Sequence, residues 1–158
     1  SHHGIFSERF GKTISVGVMG EDLPEECNQV LLDKNLTDSD GIPAAKVIYR
    51  MSNNSLKMMD HGIARAGELL EASGANQVLV NPLLKPSGWH LMGTTTMGTN
   101  LNQSVVNDWG RCHDVKNLFI IDSSIFVTGA AVNPTTTIQA LALYIADKFK
   151  QHSRHLID

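Results

Sequence analysis

The sequence predicts an α+β fold: a largely antiparallel sheet with covering helices, then a further strand and helix at the C-terminal end. Three features predict it. Short apolar runs in the first half are separated by a strong turn signal at Thr37-Asp38-Ser39-Asp40-Gly41. A long segment after residue 53 repeats its apolar residues every three or four positions. Late in the chain, the run Asn117-Leu118-Phe119-Ile120-Ile121-Asp122 is followed by an Asn-Pro helix start. Strands followed by a helix and another strand point to a sheet with a helical cover.

The elements follow in order. Ser1-His2-His3-Gly4 has neither the basic nor the apolar segment of a secretory leader and is set aside as foreign to the fold. Thr13 to Met19 alternates weakly and reads as a strand, as does Asn28 to Asp33. The turn follows, because Asp, Ser and Gly favour the tight backbone conformations a reversal needs. Ala45 to Met51 reads as a third strand, with Val47 and Tyr49 on one face. Asn53-Asn54-Ser55 supplies capping side chains for a helix whose apolar stripe is Leu56, Met59, Ile63, Ala66 and Leu70. Gly74 is its stop, and Gln77 to Val80 reads as a short strand. Residues 88–110 are rich in Gly, Thr and Asn and read as a long loop, with a short extended piece at Ser104-Val105-Val106. Such a loop inside a domain usually carries function. The run ending in Asp122 reads as a buried strand. Asn133 as N-cap and Pro134 at the first helical position open the last helix, with Ile138, Leu141, Ile145 and Phe149 on its apolar face.

Composition narrows the function classes. The 158 residues fit one domain, and 42% apolar against 18% charged excludes a disordered chain. A formal charge of −3 argues against a general nucleic-acid binder. No apolar run reaches the length of a membrane span. Two cysteines, Cys27 and Cys112, form neither a disulfide framework nor a CxxC pair, and no HExxH or GxSxG is present.

Three positions are candidates for chemistry: His90, Asp122 and Asn133. His90 lies between Trp89 and a Gly/Thr-rich loop, a poor place to pack a core and a good one from which to reach a cleft as an acid or base. From position alone, a structural histidine bonded to backbone is the plainer reading. His61, His113, His152 and His155 read as ordinary surface or structural histidines. N-capping alone explains Asn133. A helix start also offers free N–H groups and partial positive charge to an anion or a developing negative charge. Thr135, Thr136 and Thr137 add hydroxyls there although threonine is a poor helix former.

From His90 to Phe149, about 60 residues, the chain resembles the C-terminal end of the glucose–methanol–choline (GMC) family of flavin oxidoreductases. The matching pieces are HLMGTTTMG (90–98), SVVNDWGRCHDVKNLFIIDSSIF (104–126) and TGAAVNPTTTIQALALYIAD (128–147), in the family's order and spacing. Residues 28–74 are similar more loosely to its substrate-binding region. The wording of the histidine loop is nearest the pyranose oxidase, gluconate or fructose dehydrogenase branch. The resemblance implies that residues 5–93 form part of a substrate-binding domain. Residues 94–150 then return a strand and a helix to the FAD-binding domain, and 151–158 form a polar tail.

It also implies hydride transfer from an alcohol or sugar carbon to FAD. His90 matches the catalytic histidine that takes the hydroxyl proton, and Asn133 a second catalytic position, His or Asn in the family. Asp122 and Ser123 match contacts to the ribityl and phosphate region. Asn133, Pro134 and Thr135 match the flavin-ring side, and no metal is implied. The chain departs from the family in lacking the GxGxxG of the nucleotide-binding half. The resemblance therefore implies little FAD binding by this chain alone, and a partner in an N-terminal FAD-binding part. The competing expectation is an orphan or split fragment, not itself an enzyme, that self-associates or binds a partner. A hydrolase using His90 with a threonine is disfavoured, since no oriented triad is visible.

Overall fold

In the computed structural model, which describes residues 1–82 and 88–152, helices and strands follow in the order α1 (His2–Arg9), β1 (Gln29–Thr37), β2 (Pro43–Ile48), α2 (Asn53–Ala72) and α3 (Thr135–His152). A 3-10 turn, Ser123–Ile125, precedes α3. The fold is mixed helix and strand with a small antiparallel sheet, the class read from the sequence.

Strands β1 and β2 pair from Gln29↔Ile48 to Leu32↔Ala45, with Thr37↔Pro43 closing the hairpin after an irregularity. That irregularity has a local cause. Asp33 Oδ1 accepts from the N–H groups of Asn35 and Leu36, drawing them off the ladder. At the turn, Asp38 Oδ1 accepts from Asp40 N and Ile42 N, while Gly41 takes φ +80°. The side chain thus mimics a backbone turn, as the Asp-Ser-Asp-Gly run predicts.

Helix α2 begins one residue earlier than the Asn53-Asn54-Ser55 reading. Ser52 is the cap, its Oγ accepting from Ser55 N at 3.0 Å. The helix stops where predicted: Gly74 sits at φ +89°, with its N–H on Glu71 O and that of Ala75 on Leu70 O. Its covered face differs slightly from the predicted stripe. Leu56 is exposed, whereas Gly62 faces inward, with Val18 filling the space its Cβ would need.

Three expected strands are absent. Residues 13–19 and 77–80 have no strand pairing among the described residues. Residues 118–122, including Asp122, make only an isolated bridge, Arg111↔Phe119. Apolar alternation favours a strand only where a neighbour takes up its N–H and C=O groups, and the sheet has two strands. Helix α1, formed partly by the residues set aside from the sequence, buries nothing.

The core is Val106, Cys112, Ile125 and Ile145, flanked by Met97, Ile120 and Phe126. It joins the end of the histidine loop, the irregular 104–120 segment, the 3-10 turn and α3. Gly110, buried at φ +78°, is obligatory there: a Cβ would stand 2.5 Å from Ile120 O and 3.2 Å from Ile145 Cδ1. Toward its C-terminal end, α3 is held by rings. Phe149 meets Phe119 edge-on at 5.0 Å, and His152 stacks on Trp109 at 5.2 Å. The helix therefore continues two residues into the expected polar tail, whose remainder, including His155, lies outside the described residues.

Candidate active site

The histidine loop is fixed by the Asp122–Phe126 segment. Ser123 Oγ donates to Leu91 O at 2.7 Å, next in chain to His90. Gly93 N, Thr95 N and Met97 N then donate to the carbonyls of Ser123, Ser124 and Ile125. Two loop residues pass for each residue of the tighter 3-10 turn. The Thr95 and Ser124 hydroxyls lie 2.6 Å apart and add a side-chain rung. Gly93 adopts φ +83°, and a Cβ there would come within 3.3 Å of Phe126 O. Beyond this ladder, His90 is exposed and makes no hydrogen bond with the other described residues. Its chain neighbours Trp89 and Leu91 are 81% and 76% exposed.

Asp122 caps the 3-10 turn. The Ser124 hydroxyl and its backbone N–H, the latter at 2.8 Å, hold the Asp122 carboxyl below the ordinary carboxylate range. Asp122 and Ser123 therefore already serve the chain's own architecture.

Asn133 is one residue outside the position expected for it. The first bond inside α3 runs from Ile138 N to Pro134 O, so Pro134 occupies the cap and the helix starts at Thr135. Pro134 is buried; Asn133, Thr135, Thr136 and Thr137 are exposed. The Asn133 carboxamide bonds to no other described residue, which leaves it open to a ligand rather than engaged as a cap.

The two loops meet. Met92 Cε lies 3.1 Å from where a Cβ on Gly129 would stand, so the segment leading to Asn133 abuts the segment following His90. No hydrogen bond joins His90 to Asn133. A cleft of about 420 Å³ opens alongside, between β1 and Gly93, Thr94 and Thr96 of the histidine loop; it is lined by neither His90 nor Asn133.

Two features escaped the sequence reading. The tripeptide Gly20-Glu21-Asp22 ties distant segments together. Asp22 accepts from Tyr49 Oη at 2.5 Å and from the buried Ser55 hydroxyl at 2.7 Å, and Glu21 accepts from Thr128 Oγ1 at 2.8 Å. Adjacent acids just after an apolar run and before Pro24 were the available signal. The second is the set of partners of His113, a structural histidine as read from the sequence: its Nε2 lies 3.0 Å from Ser104 Oγ and 3.2 Å from Gly98 O. A carbonyl only accepts, so Nε2 carries the proton there and cannot draw one from Ser104. The pair fastens the end of the histidine loop and is no hydrolytic dyad. Among the described residues, no group of three or more His, Cys, Asp or Glu is arranged to hold a metal ion.

The site thus combines a small antiparallel hairpin, a glycine-threonine loop that carries His90 and a helix start that carries Asn133. The family model for the GMC oxidoreductase C-terminal domain matches residues 24–142, and the chain belongs to this family. It is 43% identical to 2-methyl-1,2-propanediol dehydrogenase of Mycolicibacterium austroafricanum, over 100% of this chain and 29% of that enzyme. It is 33% identical to the fructose dehydrogenase large subunit of Gluconobacter japonicus, over 80% of this chain and 23% of that subunit. The chain thus spans less than a third of the length of these curated relatives. Among solved structures it is similar to pyridoxine 4-oxidase from Mesorbium loti, with a TM-score of 0.58 and 17% identity over 79% of this chain and 27% of the other, a likeness of fold.

Proposed function

We propose that this chain is the C-terminal catalytic part of a FAD-dependent oxidoreductase that oxidises a CH–OH group of an alcohol or sugar. The observation that carries this reading is His90: exposed, without a partner among the described residues, and set beside a backbone fixed by Ser123. Its imidazole takes the hydroxyl proton as the alcohol carbon is oxidised, the role of a general base. Asn133 holds and orients the same hydroxyl oxygen through its carboxamide. The names of the diol and fructose dehydrogenases support a CH–OH substrate.

The residues fit a flavin in part. Ile138 N is the first amide bonded within α3, so the N–H groups of Thr135 to Thr137 and the Asn133 carboxamide are free to face an electron-rich edge. Pro134 has no N–H and contributes shape alone. Asp122 and Ser123 keep exposed or half-buried atoms for the ribityl and phosphate region while holding the histidine loop. Bound FAD would supply the hydride acceptor. Residues 5–93 then serve the substrate side and 94–150 the flavin side, with an N-terminal FAD-binding part completing the cofactor cradle. By itself the chain is expected to bind little FAD and to turn over no substrate.

A second reading, a self-associating or partner-binding module, is favoured by one observation. Both strands of the hairpin leave apolar side chains open to solvent, among them Leu32 and Val47 at 69% and 70% exposure, and such surface commonly marks an interface. The two readings separate in one experiment. The flavin-loaded enzyme containing these residues is mixed anaerobically with a panel of alcohols, polyols and sugars. Bleaching of the oxidised flavin by at least one of them is expected. A protein that holds flavin but is reduced by none, or a stable oligomer that never takes up flavin, favours the second reading.

A further inference from the structure

The loop that delivers Asn133 is strained, and what holds it comes from the far end of the chain. Ala131 has φ +52°, the only non-glycine residue in the left-handed region among the described residues. A conformation of that kind persists where neighbours over-determine it. Two contacts hold the residues just before Ala131. Thr128 Oγ1 donates to Glu21 Oε1 at 2.8 Å across 107 residues of sequence. Gly129 is closed in by Met92 Cε at 3.1 Å and by Glu21 Cγ at 3.9 Å from the position of a Cβ. Glu21 is itself immobilised on either side: Gly20 backs onto Met58 and Met59 of α2, and Asp22 accepts from Tyr49 and Ser55.

We propose that Glu21 is a positioning residue: through Thr128 it fixes the 127–133 loop against Met92 and so sets Asn133 relative to His90. Glu21 carries no proton in the reaction and touches no reacting atom. Its part is to keep the two substrate-facing groups in register, and small displacements of such groups cost rate steeply. The inference rests on the roles given above to His90 and Asn133.

The test is a double-mutant cycle in the flavin-loaded enzyme, read as the single-turnover rate of flavin reduction and as kcat against KM. Glu21→Ala and Thr128→Val are each expected to lower the reduction rate about tenfold, with the larger change in kcat. The double variant is expected to be no slower than either single one. Glu21→Gln, which keeps an acceptor oxygen, should restore most of the rate. Independently of activity, Glu21→Ala should speed hydrogen exchange of the 127–133 amides and leave the central amides of α2 unchanged. Additive losses, or unchanged exchange in the 127–133 loop, overturn the proposal. So does a normal rate in Glu21→Ala beside a slow His90→Ala. A normal rate in His90→Ala overturns instead the reading on which it rests.

Discussion

His90 and Asn133 differ in what the chain asks of them. The backbone beside His90 is pinned, while its ring bonds to no other described residue. Asn133 stands outside the helix cap, so its removal should cost the helix little. Asn133→Ala is expected to slow flavin reduction while changing unfolding stability by less than about 0.5 kcal/mol, the range of surface substitutions. A loss nearer 1 kcal/mol in denaturant melts, with the rate preserved, would make Asn133 a cap after all. Tyr49 offers a pH test of the Asp22 knot. Burial of its hydroxyl, then the bond to Asp22 and that group's charge, push its pKa up from 10.0 to about 12. The folded state therefore holds this proton more tightly than the unfolded chain. The stabilisation is complete below pH 10 and is lost as pH rises toward 12. With Tyr144→Phe leaving Tyr49 as the single tyrosine, phenolate absorbance should rise late, near 12 rather than 10. Titration at the ordinary tyrosine value would mean the knot does not hold in solution.

Elements were legible where local chemistry decides them and illegible where partners do. The Asp38 turn and the Gly74 stop follow from side-chain acceptors and a positive φ, which residue type announces. The helix starts lie one residue from the expected caps at both long helices: at α2 several neighbouring residues can cap, and at α3 the backbone path puts Pro134, which has no capping side chain, in the cap position. The strands expected at 13–19, 77–80 and 118–122 failed for a different reason: a strand needs a partner, and pairing is not written in one segment. Two substitutions check these elements. Ser52→Ala removes the α2 cap and should cost about 1 kcal/mol in chemical unfolding; an unchanged midpoint would show the cap to be idle. Gly110→Ala meets both a positive φ and Ile120 O and should cost more than about 1 kcal/mol; a neutral result would place the core around Ile145 differently.

Taken whole, the molecule joins a small core to much uncovered apolar surface. Among the described residues, the buried hydrophobics are Val106, Cys112, Ile125 and Ile145, while a hairpin that is marginal by itself exposes both faces. Supplying an N-terminal FAD-binding part, in the same chain or a second one, is expected to slow hydrogen exchange at the N–H groups of Thr135 to Thr137 and to bring flavin absorbance into the eluted complex. Flavin retained equally well by the chain alone would show that the cradle is already complete. Of the site, the histidine loop and the Asn-Pro helix start were visible as motifs. Glu21, Thr128 and the Ser123 tether were not, since each acts through a contact made by folding across long sequence distances.

Whether the imidazole at residue 90 takes the hydroxyl proton is measured most directly by anaerobic single-turnover reduction of the flavin-loaded enzyme. His90→Ala is expected to slow reduction by about 10²-fold or more, the effect of losing a general base, with flavin still bound. Reduction at the unaltered rate in that variant would contradict that role.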